Sequence, residues 1–262
     1  MQTDMTVGKP MKMLLNFTIP VFLGNVFQQL YSMADAVIVG KFVGTKGLAA
    51  VGATGTITFL IIGFLMGVTT GVTVLTSQKF GAGRMDEMRK TVGNAAILSA
   101  VIAVVMTAVS MLGMHRLLVF MHTPEDIFDG AYGYIMIICA GIFTQVLYNL
   151  VSSILRALGN SKTPLCFLIL AAGLNIVLDL VFIIFFHWGA PGAAWATVIS
   201  QGVSGVLCLI YMWKAVPELK MKKEDWYFNR DIAVKQISVG IPMGLQYSIT
   251  AIGGMMVQSS LN

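Results

Sequence analysis

Residues 47–78, GLAAVGATGTITFLIIGFLMGVTTGVTVLTSQ, form a stretch of 32 residues without a charged side chain. About 20 consecutive apolar residues are enough to cross the hydrocarbon core of a bilayer as one helix. A soluble domain does not leave such a length uncharged, because its surface needs ionised side chains. The stretch therefore predicts a membrane-spanning helix.

The rest of the chain repeats this pattern. Of its 262 residues, 56% are hydrophobic and 11% are charged, and the mean hydropathy is +0.81. The other charge-free runs are Met13–Ala34, Thr91–Met114, Gly130–Leu155, Thr163–Leu178, Leu180–Trp213 and Gln236–Asn262. We predict an all-α integral membrane protein with seven helices, which begin near residues 13, 49, 92, 128, 165, 192 and 237.

The basic side chains lie mainly on one side of the predicted membrane. With the N-terminus in the cytoplasm, 14 of the 17 lysines and arginines fall in cytoplasmic segments, and the 3 external ones are Lys41, Lys46 and Arg116. Cytoplasmic segments of membrane proteins carry an excess of Lys and Arg. The net charge of +5 therefore indicates topology rather than nucleic-acid binding. We expect a multi-pass protein of the cell (plasma) membrane with a cytoplasmic N-terminus.

The predicted helices divide into one lobe and the start of another. Residues 1–213 hold six helices, residues 214–236 form a polar cytoplasmic linker, and residues 237–262 form a seventh helix. At an offset of 222, the first and seventh helices share Ile-Pro at 19–20 and 241–242, Leu at 23 and 245, and Met at 33 and 255. Parallel repeats would produce this similarity, and so would chance likeness between apolar helices. We expect the rest of the second lobe to be missing from this sequence.

Two acidic residues lie inside the predicted helices. The chain has 12 aspartates and glutamates, of which Asp35 and Asp179 fall within hydrophobic helices, whereas the other ten lie in loops or near the N-terminus. A carboxylate at membrane depth costs a few kcal/mol at least, so it faces the interior of the bundle and marks a functional site.

Polar stripes accompany the two aspartates. The stripes are Asn25, Gln28, Ser32 and Asp35 on the first helix, Asn175 and Asp179 on the fifth, and Thr197, Gln201 and Ser204 on the sixth. Residues at such spacings share a helix face. The stripes can converge on a water-filled pocket whose carboxylate, amide and hydroxyl oxygens suit Na⁺ or a shared proton. Alternatively, the amides and hydroxyls form hydrogen bonds across helix contacts. Our candidates for the substrate cavity are Asn25, Gln28, Ser32 and Gln201.

Two other features bear on how the helices bend and pack. Pro20 lacks a backbone N–H, so it should bend the first helix, either as a fixed bend or as a hinge. Gly63, Gly67 and Gly71 lie on one face of the second helix and would let another helix approach closely.

Several stretches resemble the multidrug and toxic compound extrusion (MATE) family. They are QLYSMADAVIVG at residues 29–40, ILRALGNSKTP at 154–164, NIVLD at 175–179 and GAAWAT at 192–197. The resemblance implies twelve helices in two six-helix lobes, and a cation site in the amino-terminal lobe built from Asp35, Asn175, Asp179 and Thr197. It also implies that the carboxy-terminal lobe is the partner that this chain needs for transport.

The function that follows is transport rather than catalysis. We expect an antiporter in which H⁺ or Na⁺ entry drives export of small cationic or amphipathic organic compounds, with no cofactor besides the coupling ion. One alternative is a lipid-linked sugar flippase of the same superfamily, which should have a more basic central cavity. Another is an intramembrane aspartyl protease with Asp35 and Asp179 as its dyad. Such proteases carry Gly-x-Gly-Asp, whereas residues 176–179 here are IVLD.

Overall fold

The computed structural model describes residues 10–261, apart from the side chains of residues 10, 250, 251 and 254–261. Lys9 and the side chain of Met255, which entered the charge count and the repeat comparison, lie outside the described residues. The helices are α1 Pro10–Phe42, α2 Thr45–Val72, α3 Val74–Gly81, α4 Met85–Phe120, α5 Glu125–Ala140, α6 Ile142–Ala157, α7 Lys162–Leu180, α8 Gly189–Ala215 and α9 Arg230–Leu261. A π-helical turn, Val181–Phe185, extends α7, and two 3₁₀ turns, Pro217–Leu219 and Lys223–Trp226, lie between α8 and α9.

The predicted six-helix lobe followed by a seventh helix is confirmed. Within the described residues, five helical segments are long and apolar enough to cross a membrane, and α5 with α6 makes a sixth. In a bilayer each backbone polar group must be satisfied inside the protein, and a continuous helix achieves this within one segment. The helices begin a few residues earlier than predicted; α4, for example, begins at Met85 instead of near 92. The charged residues that ended each apolar run still belong to the helix.

Two predicted helices are interrupted. The fourth consists of α5 and α6, which are bent by 48° at Gly141. A Cβ on Gly141 would lie 2.2 Å from Cγ2 of Val198, so Val198 of α8 packs directly against the bend. The second helix breaks at Thr73, whose N–H donates to the carbonyl of Thr70, three residues back. Neither break changes the apolar pattern, and the sequence therefore did not predict them.

The glycine ladder on α2 packs against α9. A Cβ on Gly67 would lie 2.6 Å from Cα of Gly244, and a Cβ on Gly71 would lie 2.4 Å from Cα of Gly240. Such a contact brings the two backbones together with no side chain between them. The predicted close approach at this ladder is confirmed, and its partner is the seventh helix.

The segment between α8 and α9 is fastened to α4. The Asn94 side chain accepts a hydrogen bond from the N–H of Asn229 at 2.9 Å and donates one to the carbonyl of Tyr227 at 3.4 Å. Asp225 pairs with Arg89 at 3.6 Å. The first turns of α9 add Gln236, which is fully buried. Its amide donates to the carbonyls of Val72 and Thr91 at 3.0 and 2.8 Å.

Helix α1 stands at the edge of the bundle. It packs mainly on α7 and less on α2 and α8, and much of its apolar surface is exposed, including Phe22 and Val37. The end of the bundle that carries residues 82–84, 158–161 and 216–229 is called the basic end below. Arg84 and Lys222 lie there, whereas the opposite end carries Glu125.

Candidate cation site

Asp35 and Asp179 meet inside the bundle. Asp35 comes from α1 and is 8% exposed, and Asp179 comes from the last turn of α7 and is 0% exposed. Their carboxyl groups face each other at close range. No donor of the described residues reaches Oδ1 of either side chain. The pair is therefore close, buried and incompletely satisfied.

Asn175 and Thr197 complete the predicted set around Asp179. The Asn175 amide nitrogen lies 3.4 Å from Oγ1 of Thr197. Rotating this amide by 180° lets its nitrogen donate to Oδ2 of Asp179 at 3.1 Å and its oxygen accept from the N–H of Thr197 at 3.3 Å. The rotated orientation satisfies both ends of the amide, and orientations of this kind are assigned from such networks. Asn175 is fully buried and joins α7 to α8.

Three further residues belong to this cluster, although the polar stripes did not single them out. The Tyr31 hydroxyl donates to Oγ1 of Thr197 at 3.0 Å and lies within hydrogen-bond reach of Ser200. Tyr134, on α5, is buried close to both aspartates. Tyr31 could have been found, because it lies one turn before Asp35 on the same face of α1. Tyr134 lies on an otherwise apolar helix that no pattern links to α1 or α7.

The cluster offers oxygen ligands and excess negative charge. Two ionised carboxylates about 4 Å apart repel each other by about 4 kcal/mol at an effective dielectric constant of ~20. A proton shared between them, or a monovalent cation held by both, removes this repulsion. Carboxylate, amide and hydroxyl oxygens are the ligands that hard cations prefer. The arrangement is therefore suited to one small cation.

The four substrate-cavity candidates are divided between two places. Asn25 and Gln28 line an open cleft between α1, α6 and α7, and Pro20 lies beside them. Ser32 is exposed and donates to the carbonyl of Gln28 at 3.1 Å. Gln201 is buried on α8, and its Oε1 finds no donor among the described residues. The first-helix stripe thus points partly into the cleft, whereas Gln201 belongs to the interior of the lobe.

Helix α1 continues through Pro20 without a break. Pro20 itself is buried, fifteen positions before Asp35 and in the wall of the cleft. Its action as a hinge stays a prediction. Its position would let a bend of α1 alter the cleft and the cation cluster together.

Sequence comparison identifies the family. The sequence model of the MatE family matches residues 20–181, a segment that includes both aspartates and Asn175. The chain belongs to the MATE family. Members are multi-pass membrane transporters, which agrees with the fold and gives no support to a protease dyad.

Known MATE proteins are similar along nearly the whole chain. The probable multidrug resistance protein YpnP of Bacillus subtilis is 32% identical over 261 residues, which are 99% of this chain and 58% of YpnP. A solved MOP superfamily transporter from Pyrococcus furiosus is 28% identical to this chain, with a TM-score of 0.85. The matched region is 92% of this chain and 53% of that transporter. An outward-facing multidrug resistance MATE transporter gives the same identity, coverage and TM-score. The chain spans just over half the length of these relatives.

Proposed function

We propose that this chain is the amino-terminal lobe of a cation-coupled antiporter that exports small cationic or amphipathic organic compounds. The observation that carries the proposal is the contact between Asp35 and Asp179, two carboxyl groups from different helices inside an apolar bundle. Buried carboxylates at membrane depth are costly and serve ion or proton pathways. Multidrug resistance is the role named for YpnP, and this supports drug-like compounds as substrates.

The coupling step begins with H⁺ or Na⁺ entering between the two aspartates. Filling the site removes the repulsion between the carboxylates and draws α1 towards α7. Tyr31 transmits the change, because it lies on α1 and donates to Thr197 on α8. A displacement of α1 also moves Asn25 and Gln28 in the cleft. Cation uptake thus changes the wall of this cleft, with Pro20 as the hinge.

The driving force is sufficient for this exchange. One elementary charge that moves through 100 mV releases about 2.3 kcal/mol. Exporting a neutral compound against a tenfold gradient costs about 1.4 kcal/mol. One cation per neutral substrate molecule therefore supports more than a tenfold gradient, whereas one-for-one exchange with a monovalent cationic substrate moves no net charge and is driven by the cation gradient alone.

The full transport cycle needs a second lobe. Alternating access in transporters built from repeats comes from the movement of one repeat against the other around a shared site. We place the N-terminus of the chain in the cytoplasm of a plasma-membrane protein, on the basis of the 14 cytoplasmic against 3 external basic residues. Expressed alone, the 262-residue chain should insert into membranes but export no dye.

The experiment that tests the proposal is dye efflux from cells that lack their own efflux pumps. The protein is expressed with both lobes, and efflux of a fluorescent cationic dye is measured under an imposed Na⁺ or H⁺ gradient. Asp35→Asn and Asp179→Asn should each abolish gradient-driven efflux, while Asp129→Asn, which alters an exposed aspartate, should leave it unchanged. Unimpaired efflux by either buried variant would refute the proposed coupling site.

A further inference from the structure

Arg156 occupies an unusual position in the cleft between α1, α6 and α7. It lies in the last turn of α6, is only partly exposed and lines the cleft beside Asn149 and Ser161. Among the described residues, no carboxylate lies within 4.0 Å of its guanidinium. A positive charge thus faces the cleft without an acidic partner in the described part of the chain.

Arg89 is a second arginine of the bundle, and its ion pairs can be compared with the surroundings of Arg156. It too lies at the basic end, on α4, and it pairs with both Asp86 and Asp225. Among the residues that the structure describes, carboxylates pair with Arg89 and none pairs with Arg156. An arginine that is partly withdrawn from water without a counter-charge favours binding of an anionic group.

The neighbours of Arg156 are neutral. The Tyr148 hydroxyl lies near the guanidinium but donates to the carbonyl of Pro164 at 2.9 Å. Tyr247, from α9, lies within electrostatic range of the guanidinium. The described polar residues that line the cleft are amides, hydroxyls and this arginine, with no aspartate or glutamate among them. The lining therefore has a net positive charge and several groups able to donate hydrogen bonds.

The cleft is small and open. Its volume of about 60 Å³ has room for a few water molecules, and hence for one polar group rather than an entire drug. Arginine presents a planar fork of N–H donors that matches the paired oxygens of carboxylate and phosphate. The hydroxyl of Ser161 and the amides of Asn25 and Gln28 line the same cleft and can add donors.

We propose that this cleft binds an anionic oxygen group, carboxylate or phosphate, with Arg156 as its principal ligand. The site is separate from the Asp35–Asp179 pair, since neither aspartate lines the cleft, and it does not depend on the proposed transport activity. The same chemistry is offered by the phosphate of a lipid headgroup and by a small soluble anion. The cleft is open beside α1, whose outer surface is largely exposed, so a headgroup can enter from the edge of the bundle.

The test is ligand binding to the purified 262-residue chain in detergent. Native mass spectrometry measures binding of phosphatidylglycerol and of phosphatidylcholine, and a titration with inorganic phosphate measures binding of a soluble anion. We expect Arg156→Gln to weaken phosphatidylglycerol or phosphate binding by about tenfold, because a charge-assisted bidentate contact is lost. Lys162→Gln is the matched control, since it removes an exposed positive charge at the same end of the bundle, and it should leave binding unchanged.

Two further measurements separate loss of the ligand from loss of folding, and the second needs no variant. Arg156→Lys retains the charge without the fork and should weaken binding by a smaller factor. In the unaltered chain, bound anion should slow modification of Arg156 by phenylglyoxal, measured on its peptide. An effect with phosphatidylglycerol alone identifies a lipid headgroup, and an effect with phosphate identifies a soluble anion. Equal binding of both probes to the unaltered chain and Arg156→Gln, or unprotected Arg156 at saturating probe, would overturn the proposal.

Discussion

Gly71 on α2 and Gly240 on α9 bring two helix backbones into direct contact: a Cβ on Gly71 would lie 2.4 Å from Cα of Gly240. The seventh helix, α9, therefore packs on the six-helix lobe through close backbone contact between glycines. Since lipid tails are as apolar as the helix surface, close packing of small residues is what drives such contacts in a membrane.

Gly71→Ala should therefore destabilise the chain. The added methyl group has no space, and overpacking costs about 1–3 kcal/mol. For a chain of this size we expect the melting temperature in detergent to fall by about 2–10 °C. Gly55→Ala is the control, because Gly55 lies on the same helix and a Cβ added there would have nothing within 4 Å; this change should be neutral or stabilising. Equal melting temperatures for the two variants would contradict this packing.

Gln236 should hold the start of α9 to the lobe. Gln236→Leu keeps the bulk of the side chain but removes the donors to the carbonyls of Val72 and Thr91. Each buried carbonyl left without its partner costs about 1–3 kcal/mol. Hydrogen–deuterium exchange of the first turns of α9 should therefore become faster. Gln246→Leu, at an exposed position of α9, should leave the exchange unchanged. Equal exchange rates in the two variants would show that Gln236 does not hold the start of α9.

Tyr31 should act on the cation site through Thr197. Tyr31→Phe keeps the ring but removes the hydrogen bond to Oγ1 of Thr197. One such bond contributes about 0.5–1.5 kcal/mol, so Na⁺ or H⁺ affinity should fall by about two- to tenfold. Titration calorimetry on the purified chain measures this change. Tyr132→Phe, on α5, serves as the control, and an unaltered affinity in Tyr31→Phe would show that this bond does not support the site.

The proposed membrane orientation places Glu125 and Lys222 on opposite sides. With Cys139, Cys166 and Cys208 replaced by alanine, Glu125→Cys should react with an impermeant maleimide in intact cells. Lys222→Cys should react only after the membrane is permeabilised. Both positions are exposed at opposite ends of the bundle, so access to the reagent depends on the membrane alone. Labelling of both in intact cells would refute the orientation.

The sequence predicted the membrane fold because its signals are long and additive. Most of the apolar runs are long enough to cross a bilayer, and an isolated charge beside such runs, as at Asp35 or Asp179, stands out against them. The bend at Gly141 was not predicted, because it depends on the approach of Val198 from another helix. Helix starts were placed late, since charged side chains at a membrane surface end an apolar run without ending the helix.

The candidate site was predictable only in part. Residues on one helix face, such as Asn175 and Asp179, follow from spacing, but the neighbour relation of α1 and α7 is a tertiary contact. Tyr134 on α5 lies near the aspartates, and no local pattern predicts that. Arg156 was counted as an ordinary basic residue at a cytoplasmic helix end. Only the surrounding lining, with no carboxylate among its residues, distinguishes it from Arg89.

The central claim is that Asp35 and Asp179 together hold one small cation. Infrared difference spectroscopy on the purified chain tests it most directly, by following the carbonyl stretch of a protonated carboxyl group while pH or Na⁺ is varied. We predict a signal that disappears when pH is raised or Na⁺ replaces the proton, is lost or altered in Asp35→Asn and Asp179→Asn, and is unchanged in Asp129→Asn. A carboxyl signal that is identical in all four proteins would contradict the account.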